Sequence, residues 1–163
     1  IPDPQKAGWP TGHASRFLTF MKEELFPFIK KNYRVSGDAG YVGYSYGALF
    51  GLYVLFHQPE TFQRYVLGSP SIWFDDGVTF KYEEEYAARH SDLSARLFMS
   101  LGGLEKRAYT ESETMTDMQK LRDKLVSRHY PGLVLRTKVF EGETHLSGVG
   151  AAISRGLREV YAQ

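Results

Sequence analysis

The stretch YVGYSYGALFG, Tyr41 to Gly51, limits the fold more than any other part of this chain. Tyr41 and Val42 favour extended backbone. Ser45 follows, between Gly43 and Gly47 in the pattern G-x-S-x-G, and the apolar run YGALFGLYVLFHQP is a buried helix ended near His57 by Pro59. A strand, a tight turn and a buried helix in that order require a partner strand to which the chain returns in parallel.

The remaining segments supply that partner and two more. RYVLGSP, Arg64 to Pro70, is a second buried strand stopped by Gly-Ser-Pro, and ARLFMSLGG, Ala95 to Gly103, is a third. A fourth runs from Leu133 to Phe140, with Leu133, Leu135, Thr137 and Val139 on one face. Helices are expected at Ser15–Tyr33, where Phe17, Met21, Leu25, Phe28 and Ile29 form the stripe and Pro27 kinks or splits it. Others are expected around YEEEYAAR, at Thr114–His129 with Met118, Leu121, Leu125 and Val126 inward, and at Leu146–Tyr161. Strands alternating with helices predict an α/β fold, a mostly parallel sheet with helices on both faces, as one domain over 1–163.

Composition narrows the classes of function. Twenty basic and nineteen acidic residues are interspersed to a net charge of +1, so no electrostatic footprint for nucleic acid is present. The absence of cysteine removes thiol catalysis, disulfides and thiolate metal sites. No apolar run reaches the roughly 20 residues that span a bilayer. The chain starts at Ile1, so the native N-terminus is expected upstream; a cytoplasmic location is favoured, and a periplasmic one stays open.

In a parallel sheet, sites form in loops beyond the carboxyl ends of the strands. Ser45 follows the first strand; Ser69, Ser71 and Trp73 the second; Glu105 the third; Glu141, Glu143, Thr144 and His145 the fourth. A serine hydroxyl becomes a nucleophile only when a base takes its proton and a carboxylate orients that base. Of the five histidines, His57 and His129 sit at helix ends, His90 in a polar run and His13 in a loop; only His145 follows a strand. Glu105, behind Gly102 and Gly103, is the favoured acid, with Asp75 and Asp76 as competitors. Serine, acid and histidine then occur in the chain order of α/β-hydrolases, and the N–H of Tyr46 at the helix start would face an oxyanion. A metal reading of Glu141, Glu143 and His145 lacks further histidines, and GLEK and SGVGAA lack the spacing of a phosphate loop. No metal or organic cofactor is expected.

RFLTFMKEELFPFIKKNYRV, VGYSYGALFGLYVLFHQPETFQRYVLGSPSIWF, LFMSLGGLE and FEGETHLS together resemble the putative esterase family of α/β-hydrolases, the group of esterase D-like enzymes and siderophore trilactone esterases. The resemblance covers essentially the whole chain. It implies Ser45 as nucleophile, His145 as general base, Glu105 as acid, and Ser71 and Trp73 near substrate. Family members usually carry Gly-His-Ser at the elbow, whereas Tyr44 and Tyr46 flank the serine here and could line the substrate. They also carry strands ahead of the first helix, and a loop among these gives the second oxyanion donor. On that basis the chain is expected to be the C-terminal part of a longer hydrolase, lacking the N-terminal strands, with its nucleophile strand at a sheet edge. The expected function is a serine hydrolase that cleaves a siderophore or other bulky carboxylic ester through an acyl-enzyme. The alternatives are a non-catalytic hydrolase-like binding module and an acyltransferase using the same serine.

Overall fold

The computed structural model describes residues 12–105 and 113–162. The chain divides into two compact units, Ile1–Asp38 and Ala39–Gln163. In the first, helix α1 (Ala14–Phe20) passes through a π-helical turn, Met21–Leu25, into α2 (Phe26–Asn32). Pro27 lies in the first turn of α2. Its ring would clash with the carbonyl four residues back, at Glu23, and the wider turn around that residue relieves the clash. Leu18 and Met21 are the buried residues, while Phe17 and Phe28, expected in the apolar stripe, are more than half exposed. The extra residue in the wide turn shifts the helical phase for Phe28, which lies beyond it, whereas Phe17, ahead of it, sits about 100° around the helix from the buried Leu18.

The second unit is a sheet of four parallel strands, β1 (Gly40–Tyr44), β2 (Arg64–Gly68), β3 (Ala95–Gly102) and β4 (Leu133–Phe140), in that spatial order. The register pairs Val42 with Val66, Val66 with Phe98 and Phe98 with Arg136. Each crossover carries a helix: α3 (Tyr46–His57), α4 (Phe74–Ala87) and α5 (Glu113–Ser127), with α6 (Gly148–Tyr161) after β4. Among the described residues β1 pairs with one strand, β2.

The helices occupy both faces. A Cβ at Gly51 of α3 would stand 2.5 Å from Leu67 and 2.8 Å from Tyr41, whereas one at Gly156 of α6 would collide with Val66 and lie 2.9 Å from Phe98. Val66 and Leu67 are consecutive in β2, so their side chains point to opposite faces. The core is the double layer these contacts define. Leu52, Leu55, Leu67, Leu97, Met99 and Leu101 are fully buried in it, each worth about 1.5–3 kcal/mol of transfer free energy. β4 alternates as its sequence does, with Val134, Arg136 and Lys138 exposed.

Two expectations need correction. Val126 was placed inward on α5 but is 59% exposed, because it lies about 100° around the helix from Leu125, off the buried stripe of Met118, Leu121 and Leu125. The span Phe74–Ala87, labelled α4, begins ahead of YEEEYAAR and is broken by a kink at Asp75, Asp76 and Gly77, which all take positive φ (51°, 52° and 78°). Aspartate and glycine are the residues that tolerate this conformation. No helix among the described residues is long and apolar enough to cross a membrane.

These contacts set the sign of two substitutions in thermal denaturation. Gly51→Ala should lose about 1–3 kcal/mol despite alanine's better helix propensity, because its methyl enters filled space. Gly150→Ala, with nothing within 4 Å, should gain about 0.5–1 kcal/mol.

Candidate active site

The turn from β1 into α3 is a single residue, Ser45, at φ 55° and ψ −119°. Such backbone costs about 1–3 kcal/mol for a non-glycine residue and persists only where its surroundings over-determine it. Here the Ser45 N–H donates to the Gly68 carbonyl (2.9 Å), and the Ser45 carbonyl accepts from Leu49 N–H (3.0 Å) and Ser71 N–H (3.4 Å). A Cβ at Gly43 would stand 2.6 Å from the Gly47 carbonyl carbon and 2.8 Å from Ala48 N, so only glycine lets the helix start this close to the strand. Gly47 differs: its Cβ position meets nothing nearer than the Tyr41 hydroxyl at 3.9 Å. The close helix–strand approach beyond the turn is made at Gly51 instead. The Tyr41 hydroxyl, pushed up to about 12 by burial and therefore protonated, donates to the Gly47 carbonyl at 2.7 Å and braces the first turn of α3.

The acid and the imidazole come from the loops after β3 and β4. Glu105 N–H closes a turn on the Gly102 carbonyl (3.1 Å), and its Oε1 accepts from Gly102 N–H (2.7 Å), folding the carboxylate back over its own turn. The two loops are zipped by Gly103 N–H to Phe140 O (2.8 Å) and Leu104 N–H to Glu143 O (2.9 Å). Gly102 is needed there because a Cβ would strike the Glu143 carbonyl. In the β4 loop, Gly142 takes φ 80° and Thr144 and Ser147 bond reciprocally, each backbone N–H to the other's hydroxyl (2.9 and 3.2 Å). His145 is thereby fixed next to the β3 loop, and its Nδ1 lies 2.8 Å from Glu105 Oε2.

The Glu105 side chain is 3% exposed and that of His145 is 45% exposed. Burial pushes the Glu105 carboxyl up, but hydrogen bonds from His145, Ser69 and Gly102 and the His145 charge outweigh it and hold it below its ordinary value. An ionised Glu105 accepts from Nδ1–H, which leaves Nε2 with its lone pair free to take a proton. Asp75 and Asp76 are exposed and neither bonds to His145. His57, His90 and His129 each direct Nδ1 at a backbone carbonyl at the end of a helix.

Ser45 is on the same rim but not yet joined to this pair. Among the described residues its hydroxyl lies 3.4 Å from Ser71 Oγ and forms no hydrogen bond with His145. Tyr44, adjacent to Ser45, bridges the gap: its ring lies 5.3 Å from the His145 ring and its hydroxyl donates to the His145 carbonyl at 2.9 Å. On the other side of the serine, the Tyr46 ring packs against Trp73 (6.1 Å) and Phe74 (5.7 Å). Ser71 is buried. Ser69, which spacing places at the rim without a role, reaches Glu105; nothing local to the sequence signals a bond to a residue 36 positions on. Among the described residues no group of three or more histidines and carboxylates could hold a metal ion.

This fold is that of the α/β-hydrolase-type esterases. The chain belongs to the family described as "Putative esterase", whose model matches residues 5–145. It is similar to the ferri-bacillibactin esterase BesA of Bacillus subtilis, 29% identical over 159 residues that cover 95% of this chain and 54% of that protein. It is also similar to the siderophore enterobactin esterase of Emericella nidulans, 30% identical over 168 residues, 90% of this chain and 55% of that one. Among solved structures, the BES protein from Bacillus cereus matches with a TM-score of 0.83 at 31% identity, over 95% of this chain and 58% of that one. An IroE-like serine hydrolase from Shewanella oneidensis matches at 0.82 and 29%, over 91% and 48%. The chain spans about half the length of the curated relatives it matches.

The lowered Glu105 value has a thermodynamic consequence. A carboxyl depressed on folding contributes stability that is complete above its ordinary value of 4.5 and disappears as pH falls through the lower native value. Wild type should therefore exceed Glu105→Gln in denaturant midpoint at pH 7, and the difference should shrink only below about pH 4.5. A difference that stays constant down to pH 2 would contradict the bonding described here.

Proposed function

We propose that this chain carries the nucleophile, base and acid of a serine carboxylic ester hydrolase. The observation that supports the reading most strongly is the buried Glu105 carboxylate on His145 Nδ1, on the same rim as a serine held in strained backbone. In the reaction, Ser45 Oγ leaves Ser71 by rotation about χ1 and attacks the ester carbonyl while His145 Nε2 takes its proton. The carbonyl π electrons move to oxygen, and the Tyr46 N–H, at the positive end of α3, stabilises that oxyanion. On collapse the C–O bond to the alcohol breaks, and His145 returns the proton to the leaving oxygen. Water then repeats the sequence on the acyl-enzyme, which releases acid and restores Ser45. Glu105 keeps its charge throughout and offsets that of the imidazolium.

The substrate class follows the relatives. Proteins named as esterases of bacillibactin and enterobactin siderophores support a siderophore trilactone or another bulky ester. Tyr46, Trp73 and Phe74 form an aromatic wall beside the serine that suits a ring-bearing ester. The coverage of those relatives supports 1–163 as part of a longer catalytic domain.

A fluorophosphonate probe tests the assignment on the hydrolase that contains this chain. Covalent labelling is expected at Ser45 and should vanish in Ser45→Ala; no labelling would favour a binding module, and labelling of another residue would move the nucleophile away from Ser45. Glu105→Gln should lower kcat by roughly 10³–10⁴-fold while Asp75→Asn leaves it unchanged. The reverse pattern would move the acid to Asp75.

A further inference from the structure

Two hydroxyls beside the Glu105–His145 pair take no part in the chemistry above. Ser69 is 3% exposed and takes φ 44° directly before Pro70, where backbone favours extended angles. That outlier turns its side chain back over the end of β2, and Ser69 Oγ donates to Glu105 Oε1. It also lies 2.9 Å from the Tyr44 hydroxyl, which in turn reaches the His145 carbonyl at 2.9 Å.

We propose that Ser69 is a positioning residue that fixes the rotamer of the Glu105 carboxylate, and that Tyr44 is the latch holding the His145 loop over the nucleophile turn. The proposal rests on the ester-hydrolase reading. Counting protons supports it. Glu105 Oε2 faces His145 Nδ1, and Oε1 faces Gly102 N–H and Ser69 Oγ, so three donors surround an acceptor-only group in a buried place. A hydroxyl has one proton, and the carboxylate is the strongest acceptor within reach of Ser69. The Tyr44 hydroxyl gives its own proton to the His145 carbonyl, and its oxygen lies 2.9 Å from Ser69 Oγ as a second acceptor for that hydroxyl. The residue preceding Ser45 is thus tied both to the histidine loop and to the hydroxyl that aligns the acid. Burial keeps the Tyr44 phenol protonated, helped by the Glu105 and Glu143 charges and opposed by the Ser69 contact, so the donor is present at neutral pH.

The test uses hydrolysis of p-nitrophenyl butyrate together with the far-downfield proton resonance of His145 Nδ1–H. Ser69→Ala and Tyr44→Phe should each lower kcat about 10–100-fold, as loss of outer partners of an oriented histidine does, with KM changed less than about twofold. In Ser69→Ala the Nδ1–H resonance should move upfield or broaden by exchange. Ser69→Gly removes the same hydroxyl while suiting the left-handed backbone, so the same loss in that variant assigns the effect to the bond, not to misfolding. Ser69→Cys, a weaker donor of similar shape, should recover part of kcat. Unchanged kcat, or a fallen kcat with an unmoved resonance, would overturn the proposal. The resonance should persist in Ser45→Ala, and because it needs no turnover it decides the positioning role even if Ser45→Ala remains active and the hydrolase reading falls.

Discussion

The backbone of Ser45 is the constraint on which the rest of the structure depends. A residue at φ 55° and ψ −119° lets the chain pass from β1 into α3 with no intervening loop, which puts its side chain above the sheet edge. The conformation is held by bonds from three directions, from β2 through Gly68, from α3 through Leu49 and from the β2 loop through Ser71. Gly43 removes the one clash that would forbid it. Strain of this size is stable only because α3 is itself anchored: it buries Ala48, Gly51, Leu52, Val54, Leu55 and Phe56 against the sheet and its neighbours. The core thus holds the turn in place, and the turn presents the serine.

The parallel sheet does the remaining work of convergence. Because all four strands run the same way, residues 45, 69, 105 and 145 leave the sheet at one rim although they span 100 positions of chain. The loops after β3 and β4 are zipped together by backbone bonds, so Glu105 and His145 meet without a regular element between them. A carboxylate 3% exposed would be costly alone; three donors make it an ionised partner for imidazole. Ser45, by contrast, rests against Ser71, its hydroxyl 3.4 Å from Ser71 Oγ.

Much of this was legible because periodicity and turn chemistry are local. β4 occupies Leu133–Phe140 as its alternation predicts, and the strand-end rule places Ser45, Ser69, Glu105 and His145 at one edge. What was not legible depends on non-local packing or on helical phase. The wide turn ahead of Pro27 rephases the first helix, and one residue of helical rotation leaves Val126 in solvent. Asp75–Gly77, ahead of the helix expected around YEEEYAAR, forms a positive-φ kink inside the span Phe74–Ala87. Tyr44 reads as a substrate-lining side chain, but its hydroxyl turns to the His145 carbonyl, a partner 101 residues away that no local pattern announces.

The proposal that Ser45 accepts the acyl group is tested most directly by rapid acid quench of the protein that contains this chain during incubation with a slowly hydrolysed ester, followed by peptide mass spectrometry. The account requires a mass increment equal to the acyl group on the peptide that contains Ser45, appearing before product and decaying with it. Product formation with that peptide unmodified throughout, or with the acyl group on another residue, would contradict it.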